Sequence, residues 1–420
     1  MKRTVSILLL GCALLALPAA CGRQVPHAGT EDFLILRENV PNQAFYKDIF
    51  LDAGIGLTSR NTLYAAEAEG LTLDAMSFSR NGDVPEEFAQ QNALIAGDAD
   101  DTNGRLLYPD GQPRYRVLFV CGGSSKTHAR SLNDTARAHM QAFVAAGGSY
   151  VGACAGGFFA SRGYDAVDPY PYYLGLWPGV MQHTGLTNQY TDFSIEPRSA
   201  LLRYSDFGGD SLVDRIRHNK GGYPTSLPAG TEVLARYVYP DKADVDGQVS
   251  AWAYKPGLRS GRVVIEGSHP EEVRGGEKQA LTAALIRYAM DGVGTVSAKG
   301  FLHRGQPRVM DCTTEDGKPA YTRIGDLQCH HFAFYLPFGA KSISLETDSE
   351  AACDLRLMLC RDTYAFPGNA DHMAAAPGPA QRLAFDTLEP GIWYVAVQCL
   401  TTGENYNGFP YSITVNWTER

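Results

Sequence analysis

The sequence lacks the features that predict a membrane-spanning, nucleic-acid-binding or metal-binding protein. It has no long apolar run after Leu17, so no spanning helix is predicted beyond the first residues. Its 46 acidic residues outnumber the 37 basic ones, and a net charge of −9 disfavours nucleic acid as a partner. The acidic segment 97–101 lacks the spacing of an EF-hand calcium loop, and the adjacent His330 and His331 would point to opposite faces of a strand. We therefore predict no nucleic-acid partner, no metal and no cofactor.

The first 21 residues are typical of an export signal. Basic residues come first, an apolar run extends from Val5 to Leu17, and small residues lead up to Cys21. A cysteine after two alanines is the residue that is acylated in bacterial lipoproteins, although Pro18 stands where an aliphatic residue is usual. We expect an exported protein, periplasmic, cell-surface or secreted, with lipidation at Cys21 as its only membrane attachment. Ordinary secretion is the alternative.

Two domains are predicted from the change of pattern along the chain. Within 30–292, buried strands alternate with helices, which is typical of an α/β domain built on a parallel sheet. Within 296–420, apolar and polar positions alternate in short segments between Gly and Pro turns, which predicts an all-β sandwich.

Most of the cysteines lie in the predicted sandwich, and export would permit them to form disulfides. Cys353 and Cys360 would face opposite sides of one strand, so they are not expected to pair with each other. We consider Cys312 with Cys329, and Cys360 with Cys399, as hypothetical pairs.

The strongest chemical signal is a strand, turn and helix around Cys154. Apolar Tyr150 and Val151 end a strand, and glycines flank the cysteine at Gly152 and Gly156. This is the pattern of a nucleophile elbow, in which bulky neighbours would clash with a strained backbone. A cysteine at a helix N-terminus is also favoured as the thiolate. The alternative is a buried cysteine that lies in a tight turn and has no catalytic role.

A cysteine nucleophile needs a base and a group that orients the base, and His269 and Glu271 fit these roles. They follow the buried strand that ends at Ile265, which places them at the same edge of a parallel sheet as the elbow. Two residues apart in an extended segment, they would project to one side, whereas Glu272 would point away. Two N–H donors, one from Ala155 and one from the Gly122–Gly123 turn, would form an oxyanion hole.

A substrate pocket is predicted from the glycine turns that surround the elbow. The turn after the strand 115–120 brings backbone close to a ligand, and a second turn lies at 218–222. The predicted pocket residues are Gly122, Phe158, Asn219, Gly221 and Gly222.

The elbow, the Gly122–Gly123 turn and the later His-Pro-Glu resemble the class I glutamine amidotransferase-like superfamily. Together with the segment 218–222 they look more narrowly like the N-terminal domain of biotin-protein ligases. The resemblance covers 30–292 and implies a flavodoxin-like parallel sheet with helices on both faces. It also implies Cys154 as nucleophile, His269 and Glu271 as its partners, and an oxyanion hole at Gly123 and Ala155.

The chain departs from that superfamily in ways that bear on its reaction. Phe158 stands where amidotransferases commonly carry Gln, and no synthase or biotin-ligase catalytic domain follows. The expected function is therefore exported hydrolysis of an amide, peptide or ester bond in a small-molecule or peptide substrate. An inactive small-molecule-binding or surface-binding lipoprotein on the same scaffold is the alternative.

The C-terminal part, 296–420, resembles the bacterial pre-peptidase C-terminal domain in its segments 331–339, 354–359 and 388–397. That family accompanies secreted hydrolases. The resemblance implies binding to a surface or matrix and does not bear on the chemistry.

Overall fold

The computed structural model describes residues 47–52, 56–76, 94–98, 102–294, 298–312, 322–325, 327–361, 363–402 and 408–419. The predicted export signal and Cys21 lie outside these residues. Among the described helices, none is long and apolar enough to cross a membrane.

The first part of the chain is a mixture of strands and helices. The helices are α1 (Gly56–Ala68), α2 (Ser125–Arg130), α3 (Asp134–Ala145), α4 (Ala155–Ala160) and α5 (Gly276–Met290). The strands are β1 (Lys47–Asp52), β2 (Leu73–Met76), β3 (Tyr115–Val120), β4 (Ser149–Ala153), β5 (Gly163–Tyr164), β6 (Val180–His183), β7 (Gln189–Ile195), β8 (Leu212–His218), β9 (Gly222–Pro224), β10 (Glu232–Val238), β11 (Val249–Tyr254) and β12 (Val263–Glu266).

Nine of these strands form one sheet in the order β2-β1-β3-β4-β12-β11-β10-β7-β8. The pairings from β2 to β12 are parallel, as predicted from the alternation of strands and helices. From β12 to β8 the pairings are antiparallel, and these include the hairpin of β10 and β11. The fold is thus a parallel-rich α/β sheet with an antiparallel extension that the sequence pattern did not reveal.

Helices cover both faces of this sheet, as expected. Along β3, Val117 and Phe119 pack into one core with residues of α1 and α5, whereas Leu118 and Val120 pack into the other with α3 and α4. This alternation is the period-two geometry of a strand buried on both sides. Because β3, β4 and β12 run parallel, the residues that follow them meet at one edge of the sheet.

The second part is all-β. Its strands are β13 (Ala298–Phe301), β14 (Arg308–Met310), β15 (Cys329–Leu336), β16 (Lys341–Asp348), β17 (Leu355–Cys360), β18 (His372–Ala374), β19 (Gln381–Phe385), β20 (Gly391–Cys399) and β21 (Tyr411–Thr418). A five-stranded sheet, β13-β15-β20-β17-β18, and a four-stranded sheet, β14-β21-β16-β19, share an apolar core to which strands of both contribute.

The hypothetical disulfides are wrong, since Cys329 and Cys360, one member of each pair, carry free thiols. On β17 and β20, Cys360 lies opposite Tyr394 and Cys399 lies opposite Leu355. The two residues are therefore offset by five residue steps along the strands, which corresponds to about 17 Å between backbone positions.

The other hypothetical pair fails because Cys329 carries a free thiol. Cys312 follows β14 in the four-stranded sheet, whereas Cys329 begins β15 in the five-stranded one. Cys353 and Cys360 also carry free thiols, and they belong to separate apolar clusters, as the strand alternation predicted.

A buried ion pair joins the second part to the first. The Asp110 side chain, 2% exposed, pairs with the Lys299 ammonium and accepts a 2.7 Å hydrogen bond from Gln328 Nε2. Lys299 lies on β13, and Gln328 immediately precedes β15. A loop of the α/β part is therefore held by the sandwich through a desolvated charge.

Replacing Asp110 by alanine should destabilise the folded chain by about 3 kcal/mol, because it leaves the Lys299 ammonium buried without its counter-charge. Urea unfolding measures this loss of free energy. As a control, Glu419→Ala removes a pair with Arg304 whose side chains are 42% and 63% exposed, and it should cost about 1 kcal/mol or less. Equal effects of the two substitutions would contradict the assignment of Asp110 as an anchor.

Candidate active site

Cys154 occupies a strained turn between β4 and α4. Its φ is +46° and its ψ is −103°, a region that residues with a side chain rarely adopt. Close packing explains the surrounding glycines: a Cβ on Gly156 would lie 2.1 Å from the Val120 carbonyl oxygen, and one on Gly152 would lie 2.6 Å from the Gly156 carbonyl carbon. The predicted elbow is present, with Cys154 at the start of a helix.

Parallel pairing of β4 with β12 brings the second half of the site to Cys154. Ala153 lies opposite Glu266, and the Cys154 N–H donates to the Glu266 carbonyl at 2.9 Å. Three residues after Glu266, His269 Nδ1 lies 3.0 Å from Glu271 Oε1, and the two side chains are 7% and 0% exposed. The structure thus brings together the three residues that the sequence assigned to one site.

The neighbouring acid, Glu272, is directed elsewhere, as predicted. Its Oε2 atom lies 3.0 Å from Arg217 Nε. The main-chain N–H of His269 donates to the Arg217 carbonyl at 2.8 Å. Arg217, on β8, therefore contacts both the His269 backbone and the Glu272 side chain.

The pKa of His269 lies well above 6.5, and the causes oppose one another. Burial lowers this pKa, but the charge of Cys154, then the charge of Glu271, and hydrogen bonds to both side chains outweigh the burial. A protonated imidazole between a sulfur and a carboxylate is the arrangement in which an ion pair of thiolate and imidazolium is stable.

The Gly122–Gly123 turn lies against the imidazole. A Cβ on Gly122 would stand 2.3 Å from His269 Cε1, so this position must be glycine for the ring to occupy its place. Gly123 has a φ of +134°, which also favours glycine. Ala155 is the first residue of α4, where a backbone N–H has no acceptor within the helix.

The second glycine turn, 218–222, covers the nucleophile. The Asn219 carbonyl oxygen lies 3.7 Å from Cys154 Sγ, and the thiol is 5% exposed. A Cβ on Gly221 would stand 1.6 Å from the Gly267 oxygen, and one on Gly222 would stand 2.6 Å from Phe158 Cζ. Gly221 and Gly222 are therefore both required for the close packing of this turn beside Cys154 and Phe158.

A buried polar chain, which the sequence did not reveal, holds this turn in place. His218 Nε2 lies 2.6 Å from Thr184 Oγ1, and His218 Nδ1 lies 2.7 Å from Ser268 Oγ. Ser268 in turn lies 3.2 Å from Thr191 Oγ1. Burial, followed by the charge of His269, lowers the pKa of His218 to about 3, so this ring is neutral and can donate through one nitrogen and accept through the other.

Two further groups near the site escaped the sequence reasoning. His183 stacks on Phe158 with ring centroids 4.3 Å apart, and its Nδ1 atom lies 2.8 Å from Asp165 Oδ2. Glu266 is buried at the end of β12. An acid that ends an otherwise apolar strand is the signal that would have identified Glu266, whereas nothing local connects Asp165 with His183.

Part of the chain is similar to a known protein family. Residues 110–166 match the family of biotin-protein ligase N-terminal domains. The predicted resemblance to that family is confirmed for this segment, which contains β3, the Gly122–Gly123 turn and the elbow. His269 and Glu271 lie beyond it.

One relative extends this similarity over a longer part of the chain. The biotin–protein ligase of Schizosaccharomyces pombe is 27% identical over 212 residues, which are 46% of this chain and 32% of the ligase. The chain therefore spans about a third of that relative's length.

Two solved structures are similar at low identity. A glutamine amidotransferase has a TM-score of 0.36 at 17% identity, covering 57% of this chain and 98% of its own. The pre-peptidase C-terminal domain of a Bacillus anthracis collagenase has a TM-score of 0.21 at 16% identity, covering 29% of this chain and 100% of its own.

Gly122→Ala should displace the His269 ring, because the added methyl group overlaps Cε1. We expect alkylation of Cys154 by iodoacetamide near neutral pH to slow by about tenfold or more, since the thiolate loses its imidazolium partner. Gly257→Ala is the matched control, because the nearest atom to its added Cβ, Ser260 Oγ, is 4.0 Å away. An unchanged alkylation rate in a folded Gly122→Ala protein would contradict the close contact.

Proposed function

We propose that the chain is an exported cysteine-dependent hydrolase that cleaves an amide, peptide or ester bond. The observation that carries the proposal is the buried hydrogen bond of 3.0 Å between His269 and Glu271, next to a cysteine held at a φ of +46°. A base with its orienting carboxylate beside a strained nucleophile is the arrangement that acyl transfer requires.

In the proposed reaction, the Cys154 thiolate attacks the carbonyl carbon of the substrate. The oxygen takes the negative charge and is bound by the N–H groups of Gly123 and Ala155. The His269 imidazolium gives its proton to the leaving amine or alcohol, and a thioester remains. His269 then removes a proton from water, which attacks the thioester, and the collapse of the second tetrahedral species returns the acid product and the thiolate.

The further parts of the proposal concern location and partners. Export by residues 1–21, with lipidation at Cys21, would place the enzyme outside the cytoplasm. The sandwich would hold it on a surface or matrix, as the resemblance to pre-peptidase C-terminal domains implies. Phe158, where amidotransferases commonly carry Gln, favours hydrolysis over transfer from glutamine.

A binding protein without catalysis is the second candidate, and one observation favours it. The Asn219 carbonyl oxygen lies 3.7 Å from the sulfur, and Cys154 is 5% exposed, so a substrate has little access to the sulfur. Under this alternative the pocket would hold a ligand beside an inert thiol, so the reactivity of Cys154 separates the two candidates.

Cys154 should react with iodoacetamide about tenfold or more faster than Cys353 near neutral pH. The two thiols are matched in burial, at 5% and 4% exposed, but burial raises the pKa of Cys353 whereas His269 stands beside Cys154. Mass spectrometry of the two modified peptides over time gives both rates. Equal rates would favour the binding protein.

Hydrolysis of an amide and ester library should be lost in Cys154→Ala, and its pH dependence should shift in Glu271→Gln. The charge of Glu271 raises the pKa of His269, so its removal lowers that pKa, and the alkaline fall in kcat should begin at a lower pH. The wild-type pH profile provides the comparison. An alkaline limb that does not move would show that His269 is not the titrating acid.

A further inference from the structure

A second carboxyl group lies in the candidate site, and the proposed reaction does not use it. Glu266 is the last residue of β12, and its carbonyl accepts from the Cys154 N–H at 2.9 Å. The residue is 1% exposed. Neither of its carboxyl oxygens has a hydrogen-bond partner within the described part of the chain, and neither has Glu271 Oε2.

The face of the sheet on which Glu266 lies follows from strand register. Glu266 is opposite Ala153 on one side and Ala251 on the other, and both alanines belong to the core beneath α5. From α5 that core receives apolar side chains such as Leu281, Ala284 and Leu285. The carboxyl group therefore enters an apolar region, in which His269 is the cation whose charge acts on it.

The titratable groups around Glu266 are mostly acids. Cys154 stands at the start of α4, His269 and Glu271 follow β12, and Tyr237 comes from β10. His218 on β8 interacts with His269, and Cys121 ends β3 in the same core. With a thiolate, an imidazolium and one carboxylate, the centre already carries one net negative charge, and a second buried carboxylate would add another without a partner.

Resting on the function proposed above, we infer that Glu266 is a positioning residue: an un-ionised carboxylic acid that keeps the centre of Cys154, His269 and Glu271 at a single net negative charge. It limits the negative potential at the sulfur and leaves Glu271 as the one carboxylate that acts on His269. Burial and then the charge of Glu271 raise the pKa of Glu266 well above 4.5, His269 lowers it, and Cys154 raises it. The burial of Glu266, its two carboxyl oxygens without a hydrogen-bond partner among the described residues, and the direction of this shift all favour the un-ionised form.

Glu266→Gln is the decisive variant, because an amide reproduces the shape of the un-ionised acid and cannot ionise. Near pH 7, alkylation of Cys154 in this variant should be within about twofold of wild type, whereas the matched variant Glu271→Gln should change it about tenfold. A large change in Glu266→Gln as well would mean that Glu266 acts as a carboxylate and would overturn the inference.

Thermal stability gives a second readout that needs no substrate. A group with a raised folded-state pKa contributes stability that is lost as the pH rises above its unfolded pKa. The Tm of Glu266→Gln minus that of wild type should therefore increase from about pH 5 to about pH 9. A constant or decreasing difference would overturn the inference. If Glu266→Gln does not fold, Glu266→Leu provides the same comparison, because it also replaces an uncharged buried group.

Infrared difference spectra between wild type and Glu266→Gln separate this inference from the proposed function. The C=O stretching band of a protonated carboxylic acid should be present in wild type at neutral pH and lost in the variant. With that band present and no hydrolysis of any library substrate, the positioning role would be retained and the hydrolase proposal would fail. If a library substrate were hydrolysed but the band were absent, the hydrolase proposal would be retained and the inference about Glu266 would fail.

Discussion

The parallel pairing of β4 with β12 is the constraint on which the candidate site depends. One hydrogen bond, from the Cys154 N–H to the Glu266 carbonyl, closes this pairing at the point where the chain turns into the elbow. A shift of register by one residue would move every side chain of β12 to the other face and carry His269 away from the sulfur. The pairing of these strands therefore determines where Cys154 and His269 lie, and the glycine turns pack around them.

Three segments meet at this sheet edge, and each is packed closely enough to require glycine. Gly122 leaves room for the imidazole, Gly156 for the Val120 carbonyl and Gly221 for the Gly267 carbonyl. Close backbone approach excludes water, and exclusion of water strengthens the interaction of His269 with the groups on either side. The same packing makes an additional buried charge costly, which is why the ionisation of Glu266 matters to the site.

Local patterns predicted the elbow, since Gly152, Cys154 and Gly156 lie within one short segment. The ends of parallel strands predicted the place of His269 and Glu271, because such ends share one edge. Long-range strand pairing was harder to predict from the sequence. β7 and β8 join the sheet antiparallel, and only this pairing brings His218 to Ser268. The hypothetical pair of Cys360 and Cys399 failed because it depended on long-range pairing: the register of β17 on β20 cannot be predicted from the sequence of either strand alone.

The contact of Asp110 with the sandwich also limits the order in which the contacts of the folded chain can form. Asp110 pairs with Lys299 and Gln328, which are 189 and 218 residues further along the sequence. Synthesis is sequential, so the loop that carries Asp110 emerges long before its partners do. Until β13 and β15 have been made, Asp110 cannot form this buried pair, so the contact between the two parts of the chain can form only after both have been synthesised.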